Sequence, residues 1–388
     1  MTAILDKVTR SRPGQPSPLQ AFQERIDIGP IASGLPFFLF VVYMVSFYLH
    51  MPARIPGIGR IRPDLLLAVA LMASMFPYFK QKGALFAHPV TKALNVFVLV
   101  VLLSLPLTQW PGSVIRFHLQ DFIKAVLFLY FVILTVDTPK RLRIFLFIFV
   151  FCQVFRVLEP LYLNLTEGYL GDKTYIGGGE FAGRLSGAPS DVVNPNGLGF
   201  VIATTIVLVH YLLWQSKHVI PKLVYLLIVP AMLYTLILTM SRGGLIALVV
   251  GGWCVFLRSR YKGVLLAVAV VVAVGGWSVM SDAQRDRYLS LVSEESSQRD
   301  TAEGRFRGMA AEFALGLNRP VFGHGVGTTG EAKANFRKKS KAAHNLYAQL
   351  MIETGIVGLV LFLIFMVRSY RTVRLNTDRL QELELPQA

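Results

Sequence analysis

Residues 263–280 read GVLLAVAVVVAVGGWSVM, eighteen residues without a charge. A bilayer core about 30 Å thick needs a helix of roughly 20 mostly apolar residues, so this stretch predicts a membrane span. The rest of the chain has the same character. Of its 388 residues 54% are hydrophobic and 16% charged, and the mean hydropathy is +0.53, whereas a soluble globular protein carries about 25% charged residues. Apolar runs fall at 31–50, 64–79, 93–110, 122–137, 144–163, 197–214, 223–240, 243–257, 263–280 and 345–367. A soluble enzyme, a disordered chain and a secreted disulfide scaffold are excluded together. The fold expected is an all-α, polytopic helical bundle of about 10–12 spans.

The net charge of +16 is unevenly placed. With both termini on one side, that side carries nineteen Lys and Arg, while the short connections opposite carry eight. Cytoplasmic loops hold the excess of basic residues, so both termini are expected in the cytoplasm, with no cleavable signal ahead of the first span. The organisation predicted is a cytoplasmic segment 1–30, an N-terminal transmembrane bundle 31–163, an outer loop 164–196 and central transmembrane helices 197–280. A large outer loop 281–343, a last span 344–367 and a cytoplasmic tail 368–388 complete it. Within the large loop, DTAEGRFRGMAAEFALGL (300–317) predicts an amphipathic helix with Arg305 one turn before Met309.

Several residues attract attention by chemistry. His344 opens the last apolar run, where an imidazole with an ordinary pKa near 6.5 suits a general base or snorkels at the end of a span. Asn345, Gln349 and Glu353 follow it at four-residue spacing, a polar stripe expected to face the bundle interior. Arg184 presents a planar fork matched to phosphate oxygens, or is an ordinary loop arginine. Arg242, in SRGGLIAL, is either functional or half of a structural ion pair, and Gly243 and Gly244 beside it permit close helix approach. Arg156 and Glu159, three residues apart, read as a structural pair. Gly325, Gly327 and Gly330 spell G-x-G-x-x-G, but no strand precedes them and a dinucleotide site is rejected. His324, between two of the loop glycines, is expected to matter less than His344. The seven histidines lack metal-ligand spacing; no metal, cofactor or nucleic-acid partner is expected.

Taken in order, GRLSG…NPNGLG (183–199), SRGGLIAL (241–248), GRFRGM…RPVFGHGVG (304–327) and AHNLYAQLMIETGIVGL (343–359) resemble the O-antigen ligase-related family of bacterial membrane glycosyltransferases. That family includes O-antigen ligases, O-antigen and exopolysaccharide polymerases, and protein O-oligosaccharyltransferases. The resemblance implies a GT-C type bundle in the inner membrane with its active site facing the periplasm. It implies a donor glycan on undecaprenyl pyrophosphate and metal-independent inversion. The acceptor would be a glycan, a lipid A core or a protein hydroxyl, and surrounding lipids are the other partners. Carried across by motif, His344 is the catalytic histidine, and Arg184 and Arg305 bind the pyrophosphate, with Arg307 an alternative to Arg305. Arg242 is a further substrate-binding candidate. The basic run 333–341 could meet the phosphates of a lipid A core, which mildly favours a ligase, and could equally stabilise the donor or contact anionic lipid headgroups. A transporter of polysaccharide or lipid-linked glycan is the reading from a different class; it would place its key charges near the bilayer midplane.

Overall fold

The computed structural model describes residues 34–55, 57–78, 86–177, 180–289, 299–337 and 345–382. The segment 1–30, His344 and part of the basic run 333–341 lie outside the described residues, as do the side chains of 299–307. In chain order the main helices are α1 (Leu35–Tyr48), α2 (Pro63–Met75), α3 (Pro89–Ser104), α4 (Leu119–Thr135), α5 (Pro139–Glu167), α6 (Pro195–Val209), α7 (Val219–Thr239), α8 (Arg242–Arg258) and α9 (Lys262–Val279). The segment 281–343 adds α10 (Asp282–Leu289), α11 (Arg299–Gly316) and α12 (Thr329–Arg337), and α13 (Leu346–Glu382) closes the chain. Within the described residues, every apolar run named above falls mainly on a helix. Seven helical stretches there are long and apolar enough to cross a membrane, the longest being Leu346–Asp378, and α1 and Pro63–Tyr78 are shorter apolar pieces. The protein is an all-α polytopic membrane protein.

The segment 164–196 differs from the plain loop expected of it. It folds a hairpin, β1 (Gly171–Gly177) and β2 (Glu180–Leu185), pairing antiparallel from Gly171 opposite Leu185 to Gly177 opposite Glu180. Arg184 is therefore a strand residue. The helix expected at 300–317 is α11.

The chain forms two compact units, one of residues 37–72 and 139–303, the other of residues 1–36, 73–138 and 304–388. In the first, Val157 of α5, Leu185 of β2, Leu198, Ile202 and Ile206 of α6, and Met232 and Leu236 of α7 form a buried core. Leu185 is the last residue of the hairpin, so the same packing that seats it fixes Arg184 beside it. Helices α6 and α8 meet through Gly199 and Gly244: a Cβ on Gly244 would lie 2.8 Å from the Cα of Gly199. Small residues are what let helix backbones approach in a membrane.

In the second unit α3 packs on α13, with the rings of Phe97 and Phe362 edge to face at 6.1 Å. Helix α13 is broken. Gly355 leaves helical geometry at φ 65° and ψ −169°, a region essentially reserved for glycine. Backbone groups freed by the break must be satisfied within the protein, and the loop 320–325 does this. His324 and Gly325 donate their N–H groups to the carbonyls of Ile352 (2.8 Å) and Glu353 (3.0 Å). The N–H groups of Ile356 and Val357 donate to the carbonyls of Pro320 (2.7 Å) and Val321 (3.4 Å). Gly323 and Gly325 take φ of 70° and 124°. These glycines serve to bring a loop backbone against a helix backbone.

Candidate functional site

Three arginines of the first unit meet at the turn between α7 and α8. The last carbonyls of a helix have no partner within it. Here they accept from side chains: Leu236 O from the Tyr288 hydroxyl (3.1 Å), Thr239 O from Arg184 Nε (2.9 Å), and Met240 O from Arg287 Nε (2.8 Å). Met240 turns the chain at φ 50°, and Ser241 Oγ caps α8 by accepting from Gly244 N at 3.1 Å. Arg242 is the first residue of α8. Arg184, Arg242 and Arg287 are 6%, 4% and 4% exposed, so three guanidiniums are buried about one turn.

Each of two arginines is held by a second element. Arg184 donates a terminal N–H to Asn196 Oδ1 of α6 at 2.8 Å. Arg287, from α10, donates to Thr174 Oγ1 of β1 at 3.2 Å. Asn196 is thus an arginine ligand, while Asn194 caps α6 by accepting from Gly197 N. Burial pushes the Tyr288 phenol up to about 12, and nearby Arg184 and Arg287 pull it partly back. At neutral pH Tyr288 is therefore a hydrogen-bond donor.

A second polar cluster corrects one expectation. Arg156 and Glu159 do not pair with each other. Arg156 forms a two-bond fork with Asp191 (2.6 and 3.0 Å), and Glu159 is engaged the same way by Arg54. Each takes a partner from another segment because a bidentate arginine–carboxylate fork is stronger than a contact three residues along one helix.

The second unit assembles α11, α12 and the start of α13 around Leu315, Ala332 and Ile352, with Trp110 against them. Asn345, the residue after His344, donates its amide N–H to Met309 Sδ at 2.9 Å, and Met309 lies one turn beyond Arg305 on α11. This contact joins the start of α13 to α11, while His344 and the side chains of Arg305 and Arg307 lie outside the described residues. Lys333 and Glu312 form a buried ion pair at 2.6 Å between α12 and α11. The polar stripe faces inward: Glu353 is buried and accepts from Gln349 Nε2 (2.9 Å) and Thr329 Oγ1 (2.7 Å).

His324 is fully buried. Its Nδ1 meets Gln109 Oε1 at 2.5 Å, its Nε2 faces Leu315 O at 3.3 Å, and its ring stacks on Trp110. Burial holds its pKa below the ordinary value, and Arg319 pushes the same way. It is a structural anchor. Buried arginines thus mark one unit, and a broken last span marks the other.

Residues 227–363 match the O-antigen ligase family model. The match agrees with the family that the motif order resembles, a family of membrane glycosyltransferases of ligase and polymerase type. It spans α7 to the middle of α13 and so contains Arg242, Arg287, Arg305, Arg307 and His344, whereas Arg184 and the hairpin precede it. A search of curated proteins finds no match to the chain. Of the expected site residues, the structure brings Arg184 and Arg242 to one turn of the stretch that matches the family model. Arg287 and Tyr288 were missed. They stand in QRDRY, a charged stretch with no periodicity, and only the tertiary contact with the end of α7 reveals them.

Proposed function

We propose that the protein is a glycosyltransferase of the inner membrane. It moves a glycan from undecaprenyl pyrophosphate to an acceptor hydroxyl on the periplasmic side, in O-antigen ligase-like transfer to a lipid A core. The observation that carries this reading is the set of buried guanidiniums at the α7–α8 turn, next to and within the O-antigen ligase segment. The periplasm holds no ATP, so the energy of the new bond must arrive in the donor, and a lipid pyrophosphate is a good leaving group.

Chemistry then makes two demands. Negative charge grows on the pyrophosphate as the glycosidic oxygen departs, and preorganised cations stabilise it; removing one such contact typically slows a reaction about 10²- to 10³-fold. Arg184, Arg305 and Arg242 take this role. The attacking hydroxyl must lose its proton, and a positioned base is worth roughly 10²- to 10⁴-fold. His344 takes that role, assisted by the polar stripe that follows it in the chain. Attack opposite the leaving group inverts the anomeric carbon.

Reconstitution of the purified chain in vesicles with an undecaprenyl-pyrophosphate-linked glycan and a lipid A core acceptor tests the reading. Transfer of glycan to the core is the expected result. Movement of the glycan lipid across the bilayer without bond transfer would refute it in favour of a transporter, and extension of one donor glycan by another would make the enzyme a polymerase.

A further inference from the structure

Residues 360–371 of α13 read VLFLIFMVRSYR, apolar up to Val367 and basic beyond it. Val360, Leu363, Ile364, Val367, Arg368 and Arg371 recur at spacings of one, three and four, which keeps them on one helix face. Together they line an open groove of about 320 Å³. From Val360 to Arg371 the helix rises roughly 16 Å. Phe362, on the opposite side of the helix, packs on Phe97 of α3, so the groove faces away from that contact. Its four apolar residues are all exposed.

Depth and charge decide what covers such a face. The groove lies in the helical stretch long and apolar enough to cross a membrane. Its aliphatic part therefore belongs at hydrocarbon depth, and arginines that follow directly reach for the headgroup layer. Arg368 is steadied there, donating from Nη1 to the carbonyl of Pro89 at 3.2 Å. Pro89 is the first residue of α3, so the partial positive charge of a helix start adds to the same end. Arg371 lines that end as well, and Arg374 continues the face one turn further. An occupant with hydrocarbon along its length and negative charge at one end matches both halves. A second copy of the helix fits worse, because two-fold pairing sets each residue near its own counterpart, and Arg368 and Arg371 would then meet like charge.

We propose that this groove binds an anionic phospholipid of the bilayer. One acyl chain lies along Val360, Leu363, Ile364 and Val367, and Arg368 and Arg371 take the phosphate. The site stands apart from the glycosyl-transfer reading and does not depend on it. It fixes the depth of α13 at the end beyond the Gly355 break.

The test places the full-length protein in phosphatidylcholine vesicles doped with a photoactivatable phosphatidylglycerol or phosphatidylcholine. The two probes carry the same diazirine-bearing acyl chain, and labelled peptides are mapped by mass spectrometry. Label on α9, the charge-free span, is the internal control and should not depend on the headgroup. On residues 360–367 phosphatidylglycerol should label more strongly, by about fivefold for each arginine engaged. In the double variant Arg368→Gln/Arg371→Gln that preference should fall to within about twofold of none. If the double variant fails to fold, Arg371→Gln, which leaves the Arg368 contact with α3 in place, decides by a loss of about fivefold. Equal labelling of 360–367 by the two probes in wild type overturns the proposal, as does a preference that survives in the folded variant. No label on 360–367, in a protein that is a dimer by light scattering, gives the groove to a second copy and overturns it too.

Discussion

Replacing Gly355 by alanine probes the break in α13. The backbone there, at φ 65° and ψ −169°, costs a residue with a side chain about 1–3 kcal/mol. A Cβ would also lie 2.8 Å from Gly323 N and 2.5 Å from the Val321 carbonyl carbon. Both are backbone atoms and neither can swing aside, so overpacking adds about 1–3 kcal/mol. Expelling the loop instead forfeits four backbone hydrogen bonds, each worth about 1 kcal/mol net. By either route Gly355→Ala should destabilise the protein by about 4 kcal/mol. Gly252 and Gly263 have open space within 4 Å of the point a Cβ would occupy, so alanine at either is the control. The assay is unfolding in detergent followed by tryptophan fluorescence, since Trp110 stacks on His324 in the same loop contact. An unfolding midpoint for Gly355→Ala equal to that of Gly252→Ala would refute the reasoning.

Gly244→Ala should lower stability by about 1–3 kcal/mol by pushing α8 from α6, while Gly243→Ala, whose Cβ would meet Phe200 at an ordinary 3.5 Å, should change the midpoint little. His344→Ala should slow glycan transfer about 10²- to 10⁴-fold while binding of undecaprenyl pyrophosphate persists, a split read from turnover and binding on one preparation. Stability should fall with acid. Because burial holds His324 below its ordinary 6.5, the unfolded chain takes up the proton first as pH drops through 6.5, and stability declines until the folded value is reached. His324→Gln should flatten the part of the slope that sets in around pH 6.5 and continues below it; an unchanged slope would show that His324 is not its source.

Membrane architecture was legible because it depends on composition over whole helices. The runs at 197–214 and 263–280 needed only length and the absence of charge, and α11 announced itself through its spacing. Gly244 was legible as a close-approach residue, though its partner Gly199 was not. What escaped depends on contacts distant in the chain. The hairpin is short, and the glycine run 177–179 at its turn is a weak signal without a longer alternating pattern on either side. The run around His324 looked like a loose glycine turn because the carbonyls it serves lie some thirty residues later, behind a break that a single glycine creates in an otherwise helical string. Arg156 and Glu159 misled because sequence spacing cannot show that Asp191 and Arg54 compete for them. For the site, Arg184 and Arg242 were found by residue type, and Arg287 was hidden because an arginine after a span is ordinarily a surface residue.

The plugged break in α13 also sets an order of assembly. Residues 320–325 leave the ribosome before residues 352–357, yet neither can satisfy its backbone until the other is in place. An apolar helix interrupted at Gly355 enters lipid with four polar groups exposed, each costing several kcal/mol there. The last span therefore becomes a stable resident of the bilayer only when the preceding loop closes on it. Maturation of the segment 281–343 and retention of the final helix are one event, and a chain cut between them should lose both.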